Sequence, residues 1–117
     1  MTNFKHLKIW RKGFDIAINT FKFTKTLPDN ERFGLSRQLT KSAVSISSNI
    51  AEGSSRLSTK EYHRFIEISL GSAFELETQL LIAEVVNYGD MKIKDVLLKD
   101  IDEEQKMLIS FSSTLLK

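Results

Sequence analysis

One proline, Pro28, and five glycines, at positions 13, 34, 53, 71 and 89, are all the strong backbone breakers in 117 residues. Together they make up about 5% of the chain, where an average soluble protein has roughly 12%. A β-sandwich or barrel needs a turn signal about every 8–12 residues, and this chain does not carry them. Collagen-like, linker-like and disordered compositions are excluded on the same ground. With no cysteine, a disulfide framework, thiolate metal sites and thiol catalysis are excluded as well. A few long helices remain.

The breakers fall at the boundaries of these helices. Thr26-Leu27-Pro28-Asp29-Asn30 ends a helix, because proline disfavours helical geometry in the residue before it. Gly53-Ser54-Ser55 is a second break, followed by a capping box of Ser58 and Glu61. Asn87-Tyr88-Gly89-Asp90 is a third, read as a glycine-type helix end. Four segments result, at about 7–26, 33–54, 59–87 and 93–116. Apolar residues recur at spacings of three and four in the first (Leu7, Trp10, Phe14, Ala17, Ile18, Phe21), the second (Leu35, Leu39, Ala43, Ile46, Ile50) and the fourth (Ile93, Leu97, Ile101, Leu108, Phe111, Leu115). Glu104 weakens the middle of the fourth. Short loops between helices of about 30–43 Å force neighbours to run antiparallel. The expected fold is all-α, an up-down-up-down antiparallel four-helix bundle, with residues 1–117 as a single domain.

The third segment carries two apolar stripes. One is Tyr62, Ile66, Ala73, Leu76, Leu80 and Ala83; the other, rotated away, is Leu70, Phe74, Leu81 and Val85. A helix apolar on two faces is covered twice, so the second stripe is expected to form a subunit interface, against the alternative of one wide core stripe in a monomer. Gly13 and Gly71 lie inside helices, where glycine costs about 1 kcal/mol relative to alanine. They mark places of close helix or subunit contact.

Residues for catalysis are sparse. His63 and Glu67 share a helical face, but a di-iron bundle needs Glu-x-x-His twice and that pattern does not occur. The serines at 36, 42, 45, 47 and 48 have only His6 and His63 as imidazole bases, and small hydroxyl residues suit close helix approach. No phosphate loop or dinucleotide fingerprint is present. A non-enzymatic protein without metal or cofactor is expected. No run of about 20 apolar residues occurs, and Met1 to Trp10 has no apolar leader region, so the expected location is cytoplasmic, away from membranes.

Charge is unevenly distributed. Residues 1–56 hold ten Lys/Arg against four acids, net +6; residues 57–117 hold seven against eleven, net −4. Ordinary solvated faces account for this, and so does either a basic face for a polyanion or charge-complementary self-assembly. Lys8, Arg11 and Lys12 in the first helix, with Arg37 and Lys41 four apart in the second, are the candidate nucleic-acid contacts. Binding through them is expected to be weak, sequence-independent and salt-sensitive. Ser48, Asn49, Glu52, Gly53 and Arg56 form the least generic stretch. It reads either as a polar site at the bundle end or, preferably, as a polar network fixing the turn between helices two and three.

The run Ala43-Val44-Ser45-Ile46-x-Ser48-Asn49-Ile50-Ala51-Glu52-Gly53, then Arg56, Phe65 and Gly71-Ser72-x-x-Glu75-Leu76-Glu77, resembles the small four-helix-bundle proteins encoded by intervening sequences in bacterial 23S ribosomal RNA genes. Leu7-x-x-Trp10 and Tyr88-Gly89 match too, and the resemblance spans about residues 4–117. It implies a ring-like homopentamer of bundles. Related accessory proteins of diversity-generating retroelements resemble pentameric barrels whose basic surface binds nucleic acid and a reverse transcriptase. The resemblance brings no catalytic residues. The chain departs from the pattern in two places: Thr40 and Lys41 stand where two arginines are common, which weakens the nucleic-acid inference, and Ser47 stands where proline is common, which removes a source of kinking from helix two. The expected function is a homo-oligomeric module, preferably pentameric, with RNA, DNA or a ribonucleoprotein as partner. The alternative is a scaffold that binds an unidentified protein and no nucleic acid.

Overall fold

The computed structural model describes residues 3–116. Four α-helices follow one another: α1 (Lys8–Thr24), α2 (Leu35–Ser54), α3 (Thr59–Val85) and α4 (Met91–Leu115). Single 3-10 turns at Phe4–His6 and Asp29–Glu31 precede α1 and α2. No strand occurs among the described residues. The helices form an elongated bundle of 44 × 22 × 20 Å. Each pair adjacent in sequence packs together and α1 closes against α4, which leaves α1 and α3 at opposite corners.

The helix ends show how the boundaries arise. Ser58 caps α3 by accepting the Glu61 amide at 3.1 Å, as the capping box requires. Asp90 caps α4 by accepting the Ile93 amide at 3.0 Å, so α4 begins two residues before its expected start. α3 ends differently from expectation. Its left-handed residue is Asn87, with φ 60°. The Tyr88 amide reaches back to the Ala83 carbonyl at 2.8 Å and the Asn87 amide to Glu84 at 3.1 Å, a Schellman arrangement with asparagine in glycine's usual place. Gly89 has φ 86° and serves the next bend, where an added Cβ would stand 2.5 Å from the Phe23 ring.

α2 through α4 bury the expected positions: Leu39, Ala43, Ile46 and Ile50, then Ile66, Ala73, Leu76 and Leu80, then Leu97, Ile101 and Leu108. α1 does not follow its strongest pattern. Its buried face is Ile9, Gly13, Ile16, Ala17, Thr20 and Phe23; of the expected stripe, Ala17 is in the core and Leu7 and Trp10 are half-buried against it, while Phe14, Ile18 and Phe21 point outward. The inner face was masked by its small and polar members. Gly13 lies against α2 and α4, where an added Cβ would meet Ile46 Cγ2 at 3.1 Å and Glu104 Oε2 at 3.0 Å. Thr20 satisfies its buried hydroxyl by donating to the Ile16 carbonyl at 2.7 Å.

Small residues hold α2 to α3. The buried Ser69 hydroxyl donates to the Ile46 carbonyl at 2.8 Å, the Ser45 and Ser72 hydroxyls bond at 2.8 Å, and Ser42 donates to Glu75 at 2.8 Å. Gly53 packs beneath Phe65 and Tyr62 with no room for a Cβ, which would stand 2.8 Å from Phe65 Cβ. Gly71 is the opposite case: nothing lies within 4 Å of where its Cβ would be. The expected packing role for Gly71 is therefore not found within this chain. We predict that Gly53→Ala lowers unfolding stability by about 1–3 kcal/mol through overpacking. Gly71→Ala, in dilute protein, raises it by up to about 1 kcal/mol through helix propensity. Urea unfolding midpoints of the two variants check both signs.

Candidate interaction surfaces

The five candidate nucleic-acid contacts separate into two groups. Lys8 and Arg11 are exposed on the first turns of α1 and, with Lys5, His6, Lys12, Asp15 and Met107, line an open groove of about 540 Å³. Lys12 belongs to the fold: its ammonium lies 2.6 Å from Glu103 and 3.7 Å from Asp100 across the α1–α4 contact. The hydrogen bond with Glu103 holds the lysine above the usual ammonium range and the glutamate below the usual carboxylate range. Arg37 and Lys41 are exposed at the start of α2, at the other end of the bundle. Their neighbours there are Lys22 and Lys25 near the end of α1 and Arg32 in the turn. None of these five side chains is ion-paired among the described residues. Lys25 and Arg32 flank a groove of about 430 Å³ with Asp29 and Ser36. The antiparallel α1–α2 hairpin brings Lys22 and Lys25 to the same end as Arg37 and Lys41, and Arg32 of the turn, which the sequence did not single out as a contact, joins them.

The stretch around Asn49 forms the expected network in part. The Asn49 amide donates to the Ser45 carbonyl at 2.8 Å and to the Ser45 hydroxyl at 2.9 Å, which links it to Ser72. Arg56 donates to Glu52 at 2.6 Å and stacks 4.7 Å from the centre of the Phe65 ring. These contacts, with Gly53 beneath the rings, brace the α2–α3 turn. Ser48 is exposed and stands outside the network. His63 Nδ1 lies 3.3 Å from Glu67 Oε1, one turn on along α3. No group of three or more His, Asp or Glu residues among the described residues is placed to hold a metal ion, and no helix is long and apolar enough to cross a membrane.

Of the proposed interface residues, Phe74, Leu81 and Val85 are 47%, 44% and 80% exposed on the outer face of α3. Leu70 is half-buried against the core. The face is wider than expected: Ile68, Gly71, Thr78 and Ile82 continue it. Diagonally opposite, Phe14, Ile18 and Phe21 project from α1, each 43–48% exposed.

Glu104 was read as a weak point in the apolar pattern of α4, yet it is fully buried. Neither carboxyl oxygen has a hydrogen-bond partner, and the missing side chain of Gly13 leaves the space it occupies. Burial, partly offset by the Lys12 ammonium, pushes this carboxyl up to about 8.

The model of the 23S rRNA-intervening sequence protein family matches residues 5–110. Among solved structures, a protein of unknown function from the S23 ribosomal protein family of Bacteroides thetaiotaomicron is similar, with 26% identity and a TM-score of 0.82 over 89% of this chain and 97% of that one. No curated protein matches.

The state of Glu104 sets a pH dependence. The folded chain keeps this proton up to about pH 8, whereas the unfolded chain loses it near 4.5. Its full contribution is therefore present below about pH 4.5 and is lost as pH rises through about 8. We predict that the stability difference between wild type and Glu104→Gln shifts in favour of the variant by about 1 kcal/mol per pH unit from pH 5 to 8. Paired urea titrations at pH 5, 6.5 and 8 check this. Parallel profiles would show that Glu104 does not keep its proton in the core.

Proposed function

The chain belongs to the 23S rRNA-intervening sequence protein family, and we propose that it acts as a non-enzymatic, self-assembling binding module, preferably a homopentamer, that holds RNA or DNA through its phosphates. One observation carries the self-assembly: two apolar outer faces, on α1 and α3, stand at opposite corners of one small bundle. A monomer that exposes apolar surface on both sides rarely stays in solution as such. Two different faces on one protomer also suit head-to-tail association, which closes into rings when successive copies rotate.

The nucleic-acid part rests on the exposed cations. Lys22, Lys25, Arg32, Arg37 and Lys41 gather at one end, where the α1–α2 turn brings them together. Phosphate contacts by such a group release counterions and carry no base information, in keeping with a sequence-independent interaction. The acidic second half supports the other reading, a scaffold in which basic and acidic surfaces of successive protomers meet.

Light scattering at micromolar concentration is expected to give a mass near five times the 13.4 kDa chain. Anisotropy titrations with single-stranded RNA and duplex DNA at about 50 mM salt are expected to show binding that weakens steeply as salt rises. Reversing Arg37 and Lys41 to glutamate should flatten the salt slope by about 2 and leave the mass unchanged. Loss of the assembly with those changes supports the charge-paired scaffold instead, and absence of binding at low salt removes nucleic acid as the partner.

A further inference from the structure

We propose that the outer ridge of α1 in one copy seats in the outer trough of α3 in the next, with Gly71 as the opening that admits it. This rests on the self-assembly reading above and names the two surfaces that meet.

The argument begins with Gly71. A glycine in the middle of a 27-residue helix weakens that helix, so the fold would gain from any other residue unless a neighbour needs the space. Gly13, Gly53 and Gly89 each have atoms of this chain within 3.0 Å of the place a Cβ would take, but Gly71 has none within 4 Å. The neighbour that needs the space is therefore outside the chain. Gly71, Phe74, Thr78, Ile82 and Val85 lie on one face of α3 by helical spacing. Beyond Gly71 the surface hollows into an apolar trough of about 330 Å³ lined by Thr78, Leu81, Ile82, Val85 and Val86. The one polar group there, the Thr78 hydroxyl, donates back to the Phe74 carbonyl at 2.9 Å, and so asks nothing of a partner.

α1 supplies the matching shape. Phe14, Ile18 and Phe21, at i, i+4 and i+7, form a single projecting row. A row of side chains on one helix packs into the groove of another, and a missing side chain at Gly71 lets the axes approach. Both surfaces are apolar, the ridge through Phe14, Ile18 and Phe21 and the trough through Leu81, Ile82, Val85 and Val86, so a second copy of the chain covers each with the other. Because ridge and trough occupy opposite corners, they cannot meet within one copy, and each copy offers one of each.

The test uses two full-length variants. Ile18→Glu spoils the ridge, and Gly71→Leu with Ile82→Arg spoils the trough. Each alone is expected to sediment as a monomer, with helical circular dichroism unchanged because the altered positions are exposed. Mixed in equal amounts, they are expected to form a complex of two chains and nothing larger, since one intact ridge meets one intact trough. Gly71→Leu alone is expected to weaken self-association at least tenfold without lowering the thermal midpoint of dilute protein. A ridge variant that keeps the wild-type mass, or a mixture that stays monomeric while wild type assembles, overturns the ridge–trough joint and leaves self-assembly standing. A monomeric wild type overturns both.

Discussion

The seam between α2 and α3 is the contact on which the rest of the bundle depends. Its residues are small, and its polar groups face one another rather than water. The Ser69 hydroxyl reaches the Ile46 carbonyl across the interface, and Ser45 meets Ser72. Buried hydroxyls need partners, so these bonds fix the sliding of one helix along the other as well as their separation. Gly53 beneath Phe65 sets the closest point at the turn. With α3 committed to α2 along its inner face, α4 folds back against α3, and α1 lies between α2 and α4. The diagonal relation of α1 and α3, and hence the two outward apolar faces, follows from that order of packing.

Much of this was legible in the sequence, because long helices with few breakers leave little choice of architecture. Ser58 with Glu61 marked one helix start, and the positions of Pro28, Gly53 and Gly89 marked the three turns. Finer detail was hidden where one residue type did another's work. Asn87 took the left-handed position that Gly89 was expected to fill, because a short polar side chain tolerates that conformation. Asp90 looked like part of a turn and proved to be a cap. α1 was the hardest case: its aromatic residues gave the stronger period, but its core face includes Gly13 and Thr20, which no apolar count recognises. Glu104 was hidden for the same reason, since nothing in the sequence distinguishes a carboxylate that breaks a stripe from one that stays in the core beside a glycine.

The candidate surfaces were legible in kind but not in place. The second stripe of α3 predicted an outward apolar face, and three of its four residues lie there; its counterpart on α1 was mistaken for the core. The basic excess of the first half was real, yet a sum along the chain does not say which corner or which end a charge occupies. Lys12 is bound to α4 by Glu103 and Asp100, and Lys94 is buried against Glu84 at 3.1 Å. Such cations join helices. Others face outward at both ends, Lys8 and Arg11 at the start of α1 and Lys22, Lys25, Arg32, Arg37 and Lys41 around the α1–α2 turn.

The end at the α1–α2 turn is braced. Thr26, just past α1, donates its hydroxyl to the Phe23 carbonyl at 2.6 Å and accepts the Asp90 amide at 2.8 Å, so the α1–α2 connection is fastened to the α3–α4 connection. Gly89 lies against Phe23 at the same place. The backbone at Thr26, beside Lys25, is therefore tied to the neighbouring turn. Ordering is a large part of what association costs, so an anion docking as proposed above would order less of the chain at this tied end than on a free loop.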